Sequence, residues 1–487
     1  MAFRHGVYKA EVPTSLIAPV QTESGLPVIV GTAPIHLASD EEALQNVNKP
    51  QLIYNYNDAV SLFGFSRDWE KYTLCEFIYS QFALFGMSPC VLINVLDPAK
   101  HKQTVSPADF TITNGEAILG QDVILANGVT FEGSSAYKAG VDYSLGYDDD
   151  GNAILTVIKG GKLASASKVK VGFTRLKPDI ITSYDIIGGV DASTGSYTGF
   201  ELVNRVFPKF RLVPGLLGSP KWSEKPEVAA VMRAKAENIN GLFTCMSVVD
   251  IPSDSTGADR YTEAPEWKNQ NNYMGTHEIV CWPKVKLGDN VFHLSTQLIG
   301  LMNKTDSGNE DTPYESPSNK LLQMNACVIA NGKEVNLGLE EANYLNGQGI
   351  ITALNWIGGW RAWGNRTAAY PSTTDVKDMF IPVRRMFDWV GNEFILTMWQ
   401  KVDAPMTPRL IRTIINSYNV RLNGLAARGY LLGGRIDFLT TENPTTDLLD
   451  GILRFHLYIA PPPPAEQIWG ILEYDPGYFS VLFEAVA

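Results

Sequence analysis

The amino-acid sequence predicts a multidomain protein of mixed α/β and α+β class, in which a discontinuous α/β domain is interrupted by an all-β domain. Strand-like apolar runs alternate with amphipathic helical segments on both sides of residues 103–178. Inside that range the sequence consists of short runs of alternating apolar and polar residues, separated by turn dipeptides. Two amphipathic helices and further strand-like runs follow, and 487 residues suffice for about three domains.

The chain opens with an extended arm, residues 1–20, because Pro13 and Pro19 interrupt a weak alternation that suits neither a helix nor a central strand. The first part of the α/β domain follows over residues 21–102. GLPVIVGTAP from Gly25 predicts a buried strand, TLCEFIYSQFALFG predicts a helix, and CVLINVL predicts a second buried strand. Strand, helix and strand in succession indicate an α/β unit.

The inserted all-β domain is expected over residues 103–178. Its turn dipeptides are Asn127-Gly128, Asp150-Gly151 and Gly160-Gly161. Such dipeptides tolerate the positive φ angles of tight hairpins. The α/β domain then resumes over residues 179–365, where LVPGLLG, a helix at about Pro226–Asn240 and the strand-like FTCMSVVDIP renew the alternation.

A C-terminal α+β domain is expected over residues 366–464. Pro382–Gln400 and Pro408–Arg428 each carry one apolar stripe at helical spacing, and ILRFHLYIA alternates like a strand. After the proline run Pro461–Pro464, the runs EQIWGILEYD and GYFSVLFEAV predict a terminal arm of strands over residues 465–487.

The overall charge disfavours nucleic acid and anionic membranes as main partners, because 40 basic against 52 acidic residues leave a net charge of −12. No apolar run approaches the ~20 residues that a membrane-spanning helix needs, and the first residues lack the apolar core of a secretion signal. Five widely spaced cysteines without a C-x-x-C pair predict buried, reduced thiols.

The sequence contains no recognisable motif for a catalytic residue, a metal site or a cofactor site. H-E-x-x-H, G-x-S-x-G and P-loop patterns are absent, and the Asp-rich stretch at 148–152 lacks the Glu that closes a calcium loop, so a hairpin turn is favoured. Several arginines near the C-terminal third favour a solvated helix face over an anion or partner surface. They are Arg384, Arg385, Arg409, Arg412, Arg421 and Arg428.

A series of motifs in the same order resembles the contractile tail sheath proteins of bacteriophages, R-type bacteriocins and related contractile injection systems. HGVYKAEVP, GLPVIVGTAP, DIIGGVDASTGSYTGFELV, LVPGLLG and PYESPSNK match in order, followed by GGWRAWGNRT at Gly358–Thr367 and FIPVRRMFDWV at Phe380–Val390. The motif residues are Trp363, Gly364, Asn365, Arg366, Thr367, Arg384 and Arg385.

The resemblance implies a structural protein with a discontinuous, subtilisin-like α/β fold and no active site, metal or cofactor. It implies stacked hexameric rings around an inner tail tube protein, with baseplate and tail terminator proteins at the ends. Contraction would drive the tube through the target envelope, as in genome ejection. The protein would be a component of a virion tail or an equivalent particle, assembled in the cytoplasm of the bacterial host. The inserted β domain is expected on the outer surface.

The terminal arms are expected to join neighbouring subunits by strand exchange, because strands too short to be stable alone can add to a neighbour's sheet edge. The N-terminal contact residues are His5, Gly6, Val7, Tyr8 and Val12. The C-terminal contact residues are Ile468, Trp469, Ile471, Leu472, Phe479, Val481 and Phe483. Pro13, Pro19 and Pro461–Pro464 are hinge candidates, and Arg409 and Arg412 are candidates for facing the tube.

Two other functions stay open from the residues alone. A non-contractile shell or surface-lattice protein would also use extended arms and a β insertion. An α/β hydrolase ranks lower, because the alternation of strands and helices permits it but no nucleophile, base or oxyanion element can be placed.

Overall fold

The computed structural model describes residues 17–20, 24–40, 42–132 and 137–484. The strands are β1 (Pro27–Gly31), β2 (Gln51–Ile53), β3 (Cys90–Asn94), β4 (Lys102–Thr111), β5 (Glu116–Gly120), β6 (Val129–Phe131), β7 (Tyr143–Tyr147), β8 (Ala153–Val157), β9 (Lys168–Leu176), β10 (Leu216–Gly218), β11 (Met246–Asp250), β12 (Glu278–Cys281), β13 (Lys284–Leu287), β14 (Asn290–Phe292), β15 (Ala326–Val328), β16 (Ile350–Asn355), β17 (Trp360–Trp363), β18 (Gly433–Asp437) and β19 (His456–Ala460).

The helices alternate with these strands in the main domain and dominate the C-terminal third. They are α1 (Tyr56–Phe63), α2 (Thr73–Ile78), α3 (Ser183–Ile187), α4 (Val206–Phe210), α5 (Pro226–Glu237), α6 (Ala264–Gln270), α7 (Leu294–Ser307), α8 (Leu339–Asn346), α9 (Val376–Met379), α10 (Ile381–Met398), α11 (Pro408–Ala427), α12 (Thr445–Leu449) and α13 (Ser480–Glu484).

An eight-stranded sheet of order β17-β16-β12-β11-β10-β1-β3-β2 forms the centre of the molecule. The six inner strands run parallel, and β17 and β2 are antiparallel edges. Along β1, Val28 and Val30 pack into one hydrophobic cluster and Ile29 into another, because successive side chains of a strand point to opposite faces. A core on both faces requires the uninterrupted apolar strands seen in the sequence. The predicted mixed α/β class is confirmed.

Strands β4 to β9 form two three-stranded antiparallel sheets, β4-β9-β6 and β5-β8-β7, around a hydrophobic core of their own. Polar and aromatic contacts attach this unit to the main domain. The Tyr72 hydroxyl donates to the Asp122 carboxylate at 2.6 Å, and Lys71 Nζ lies 3.5 Å from the same carboxylate. The His36 ring packs against Tyr147, and burial lowers the pKa of His36 to about 4 despite the nearby Asp122.

Helices α10 and α11 pack with the two-stranded sheet β18–β19 around a separate core. The Tyr418 hydroxyl of α11 donates to the Val390 carbonyl of α10 at 3.0 Å. The cores divide within α10, since Ile381 packs with the main domain and Met386 with the C-terminal core. Helix α10 therefore connects the C-terminal unit to the central sheet.

The prediction of strands after Pro464 is wrong for the described residues. Residues 461–475 form neither helix nor strand, and Ser480–Glu484 is the helix α13. A strand needs a partner for its backbone groups, and none lies beside this segment among the described residues. Local hydrogen bonds form instead: the Asp475 side chain accepts from the Gly477 backbone N–H at 2.8 Å and begins a turn.

A buried cluster of charges joins α2, β13 and the start of α7. His293 Nδ1 lies 2.8 Å from Glu76 Oε2, and its Nε2 lies 3.4 Å from Glu224 Oε1. Lys284 Nζ is 3.6 Å from the same Glu224 oxygen. Burial opposes the charge on His293, but the carboxylates of Glu76 and Glu224 outweigh it and raise the pKa of His293 to about 10.

We expect this cluster to make stability fall in mild alkali. Because the pKa of His293 rises on folding, its stabilisation is complete below about pH 6.5, the unfolded value, and is lost as the pH rises towards about 10. Replacing His293 by Gln should therefore lower the urea midpoint strongly at pH 6 and little at pH 10. The difference in unfolding free energy between the wild type and His293→Gln should be larger at pH 6 than at pH 10 by at least about 1.4 kcal/mol, which corresponds to a tenfold change in proton affinity.

Urea titrations of both proteins at pH 6, 8 and 10 measure this effect. His456→Gln is the matched control, since His456 also pairs with a carboxylate, Glu442, but is 41% exposed. A destabilisation by His293→Gln that is equal at all three pH values would contradict the assignment.

Candidate assembly surfaces

The C-terminal arm carries large apolar side chains in water. The exposed fractions are 88% for Ile468, 83% for Trp469, 91% for Ile471 and 99% for Leu472. Phe479 and Val481 are exposed by 50% and 56%, and the side chain of Phe483 lies outside the described residues. A contiguous apolar segment left in water marks a surface that another molecule covers.

Arg366 clamps the root of this arm. Its guanidinium group lies between the rings of Tyr370 and Phe380, with centroid distances of 4.4 Å and 4.2 Å. Arg366 Nε donates to Glu466 Oε1 at 2.9 Å, and Nη2 donates to the other carboxylate oxygen of Glu466. Such a two-point contact fixes direction as well as position. The sequence motif containing Arg366 therefore fixes the point from which the arm projects.

The motif residues next to Arg366 in the chain are fixed by contacts of their own. Gly364 has a φ of 136°, and a Cβ there would lie 2.7 Å from Ile351 Cδ1, so only glycine fits. Thr367 Oγ1 donates to the Asp378 carbonyl at 2.6 Å. Trp363 and Asn365 bond to the side chains of Asn343 and Ser316.

The clamp corrects the expected position of the C-terminal hinge. Pro461–Pro464 precede Glu466, and Pro461 is buried, so this run lies between β19 and a fixed point. Bending is available after Glu466, where residues 467–475 form neither helix nor strand and are exposed.

The root of the N-terminal arm is fixed on the C-terminal helices. The Ile17 backbone N–H donates to Ser417 Oγ at 2.9 Å, and that of Val20 donates to Thr397 Oγ1 at 3.0 Å. Pro19 lies between these two anchors and is therefore not a hinge. Pro13 lies outside the described residues. The predicted contact residues His5, Gly6, Val7, Tyr8 and Val12 also lie outside the described residues.

The sheet β18–β19 has room for another strand. Within the described chain, each of its two strands pairs only with the other. On the outer side of β18, Ile436 donates its N–H to Asn419 Oδ1 at 3.0 Å and accepts from Asn419 Nδ2 at 3.3 Å. No such side chain covers the outer edge of β19 in the described residues. A two-stranded sheet is marginal alone and gains stability from a third strand.

The arginine pair of α10 is structural, which corrects the interpretation of a solvated helix face. Arg385 is 3% exposed, and its Nη1 donates to Asp306 Oδ1 at 3.0 Å. Its Nη2 donates to the Ser24 carbonyl at 3.3 Å. Arg384 lies 3.1 Å from Asp378 and 3.0 Å from Asp388. These pairs join α10 to α7 and to the segment before β1.

The arginines of α11 divide into two groups. Arg421 makes two hydrogen bonds to Glu393, at 2.8 Å and 2.9 Å, and Arg428 pairs with Glu310 at 2.6 Å. Arg409 and Arg412 are exposed in the first turns of the helix, and no carboxylate of the described residues lies within ion-pair distance of either. These two charges are available to another molecule.

Neither a metal centre nor a membrane segment is found in the part of the chain that the structure describes. No group of three or more His, Cys, Asp and Glu side chains there is placed to hold a metal ion. No helix among the same residues has both the length and the apolarity to cross a bilayer.

Comparisons with known proteins give relatives of one kind, although no family model matches the chain. The chain is 27% identical to the tail sheath protein of Burkholderia phage BcepMu over 482 residues, covering 96% of the chain and 95% of the relative. It is also 27% identical to the major tail sheath protein of Serratia phage KSP20, over 62% of the chain and 73% of that relative.

Solved structures share the fold. A contracted extracellular contractile injection system, the PVC sheath complex, matches with a TM-score of 0.58 at 14% identity, covering 98% of the chain and 99% of the other. A chain of the anti-feeding prophage baseplate matches with a TM-score of 0.57 at 16% identity, covering 98% and 100%. The chain resembles the contractile tail sheath proteins.

Several features of this sheath-like chain carry no sequence signal. Glu466 binds Arg366 across 100 positions, and Ser417 binds Ile17 across 400. For Arg366 the sequence indicates only that an acidic residue could be its partner, and many acidic residues of the chain meet that condition. The contacts that hold the roots of both arms therefore depend on the fold, which brings together residues far apart in the sequence.

Proposed function

We propose that this protein is the structural, non-enzymatic subunit of a contractile tail sheath. It polymerises as stacked hexameric rings around an inner tube and contracts to drive the tube through the target envelope. The observation that carries the proposal is the C-terminal arm, clamped at Glu466 and exposed beyond it, on a chain that resembles sheath proteins over almost its full length. Self-assembly explains why an apolar arm is kept in water.

Strand exchange through the sheet β18–β19 would connect the subunits. Residues 467–475 lie beyond the clamp and can span up to about 30 Å when extended, which reaches an adjacent subunit. The outer edge of β19 offers unpaired backbone groups to an incoming strand. Both arms leave from the C-terminal unit, since Ile17 is fixed on α11 and Glu466 follows β19. Residues of both arms named from the sequence are the proposed contacts.

The proposed organisation has five parts: an N-terminal arm, a subtilisin-like domain in two pieces, an inserted domain on the outer surface, a C-terminal domain towards the tube and a C-terminal arm. Their bounds are 1–20, 21–102 with 179–365, 103–178, 366–464 and 465–487. Partners would be copies of the chain, the tube protein, and baseplate and terminator proteins. The particle would be a phage tail or an equivalent injection device, assembled in the host cytoplasm.

Electron microscopy of the purified chain at high concentration tests the proposal. Hollow, striated tubes are the expected result. Discrete monomers at every concentration would contradict it and leave the hydrolase alternative, while closed or flat lattices would indicate a non-contractile shell.

The exposed charges of α11 lead to a separate prediction for the tube. Arg409→Glu with Arg412→Glu should weaken assembly on the tube protein several-fold at about 0.15 M salt, and less at about 1 M, because exposed ion pairs are weak and screened. Self-polymerisation should be unchanged. Co-sedimentation with tubes measures the effect, and Lys159→Glu, on the exposed surface of the inserted domain, is the control. Unchanged tube-templated assembly would remove these residues from the tube interface.

A further inference from the structure

Four cations lie together at the β2 end of the central sheet, although the whole chain has a net charge of −12. We call Lys49, Arg205, Lys209 and Arg211 the basic patch. Lys209 Nζ donates to the Pro50 carbonyl next to β2 at 2.6 Å. Lys49 directly precedes Pro50, so the two lysines are neighbours. Burial, together with the charge of Lys49, lowers the pKa of Lys209.

The side chains of the basic patch contact aromatic rings and a backbone carbonyl group, and they form no ion pair with a carboxylate of the described residues. Arg205 and Arg211 flank α4, and their guanidinium groups lie 3.9 Å from the Tyr197 ring centroid and 6.0 Å from that of Phe207. All four cations are exposed. Among the residues that the structure describes, no carboxylate lies within ion-pair distance of any of them. A cluster of unneutralised charge persists when a partner supplies the counter-charge.

An acidic groove with aromatic walls lies at the opposite end of the sheet. Tyr261, Tyr344 and Trp356 line it together with Glu340, and we call it the aromatic groove. Tyr344 and Trp356 are 45% and 59% exposed, and the next residue, Ile357, is 79% exposed. The described residues place no basic side chain within ion-pair distance of Glu340. The groove therefore offers aromatic faces and a free carboxylate.

The two surfaces cannot meet within one chain. Strand β2 is the outermost strand at one end of the sheet, and β17 is the outermost at the other. Seven strand spacings separate them, or about 34 Å. The aromatic groove lies by β17, since Trp356 begins the turn between β16 and β17 and α8 packs on β16. Two copies placed side by side along the sheet would bring the surfaces into contact.

We propose that the basic patch of one copy docks into the aromatic groove of the next. Arginine stacks on exposed aromatic faces, and the lysines supply the charge opposite to Glu340. Because the two surfaces differ, the contact is head to tail, and repetition produces a ring or helix of copies. This inference rests on the proposed function and specifies which surfaces join subunits laterally. A polyanion would need the patch alone and would leave the complementary groove without a role.

Charge exchange tests the docking. Lys49→Glu with Arg205→Glu should raise the protein concentration needed for polymerisation about tenfold at about 0.15 M salt, and Glu340→Lys should act in the same direction. A chain carrying all three substitutions should polymerise again at nearly the original concentration. Lys159→Glu is the control for charge change alone. Circular dichroism and melting temperature confirm that each variant folds.

Zero-length carbodiimide crosslinking gives a second measurement that needs no substitution. In wild-type polymers, peptides joining Lys49 or Lys209 to Glu340 are expected, and monomers should not form them. Wild-type polymers without this crosslink, or variants that polymerise normally, would overturn the docking alone. A wild-type chain that remains monomeric throughout would contradict the proposed function and the docking together. Two results together would also overturn the docking: nucleic acid that reverses the polymerisation of the wild-type chain, and a chain with all three substitutions that does not polymerise again.

Discussion

A chain that ends at Gln467 is expected to fold normally and to lose polymerisation. Among the residues removed, the apolar side chains from Ile468 to Leu472 are more than 80% exposed, and the described part of the arm contains no strand. The Arg366–Glu466 clamp stays in the shortened chain. Truncation should therefore leave the melting temperature nearly unchanged while removing the strand that joins one subunit to the next.

Size-exclusion chromatography, calorimetry and electron microscopy together measure the result. The truncated chain should elute as a monomer at concentrations where the intact chain forms tubes. Ile471→Ser with Leu472→Ser should raise the concentration needed for tubes without abolishing the backbone pairing, and Glu473→Gln is the matched control in the same segment. Normal tubes from the truncated chain would contradict the role of the arm.

Asp306→Ala is expected to be among the most destabilising substitutions in the protein. It would leave the Arg385 guanidinium buried without its carboxylate, which typically costs about 3–5 kcal/mol. It would also remove the acceptor of Ser24 Oγ, which lies 2.9 Å from Asp306 Oδ2. Since Arg385 belongs to α10 and Asp306 to α7, the loss should separate the C-terminal helices from the central sheet.

Urea unfolding followed by tryptophan fluorescence measures the change. Asp306→Leu with Arg385→Met should recover most of the stability, because apolar residues of similar volume can replace a buried ion pair. Asp437→Ala, which breaks the exposed pair with Arg435, should cost about 1 kcal/mol or less. If the unfolding free energy of Asp306→Ala lies within about 1 kcal/mol of that of the wild type, the buried pair does not join the two units.

Elements whose signal is local could be predicted from the sequence. The run from Gly25 became β1 and CVLINVL became β3, because both faces of these strands are buried and, apart from Asn94 at the end of β3, every residue is apolar or small. The two amphipathic stripes of the last third became α10 and α11 nearly to their ends. In these segments the periodicity and the tertiary environment favour the same structure.

Features that depend on distant or external partners could not be predicted. The runs after Pro464 alternate like strands, yet a strand forms only where another strand supplies hydrogen bonds. Arg385 carries the same local pattern as a solvated arginine, and its burial follows from Asp306, which lies 79 positions away. The groove at Trp356 likewise arises from segments near 261, 340 and 356 that only the fold brings together.

The position of β1 in the sheet has a consequence for biosynthesis. Val28 pairs with Val91 of β3 on one side and with Leu217 of β10 on the other. Strand β1 therefore lies between a strand that is translated soon after it and one that is translated much later. A nascent chain leaving the ribosome must hold the apolar edge of β1 unpaired until β10 has been translated, after the whole inserted domain. The inserted domain, with its own core, can fold during this interval. We expect chaperone demand to peak in this interval of translation and to fall once β10 emerges.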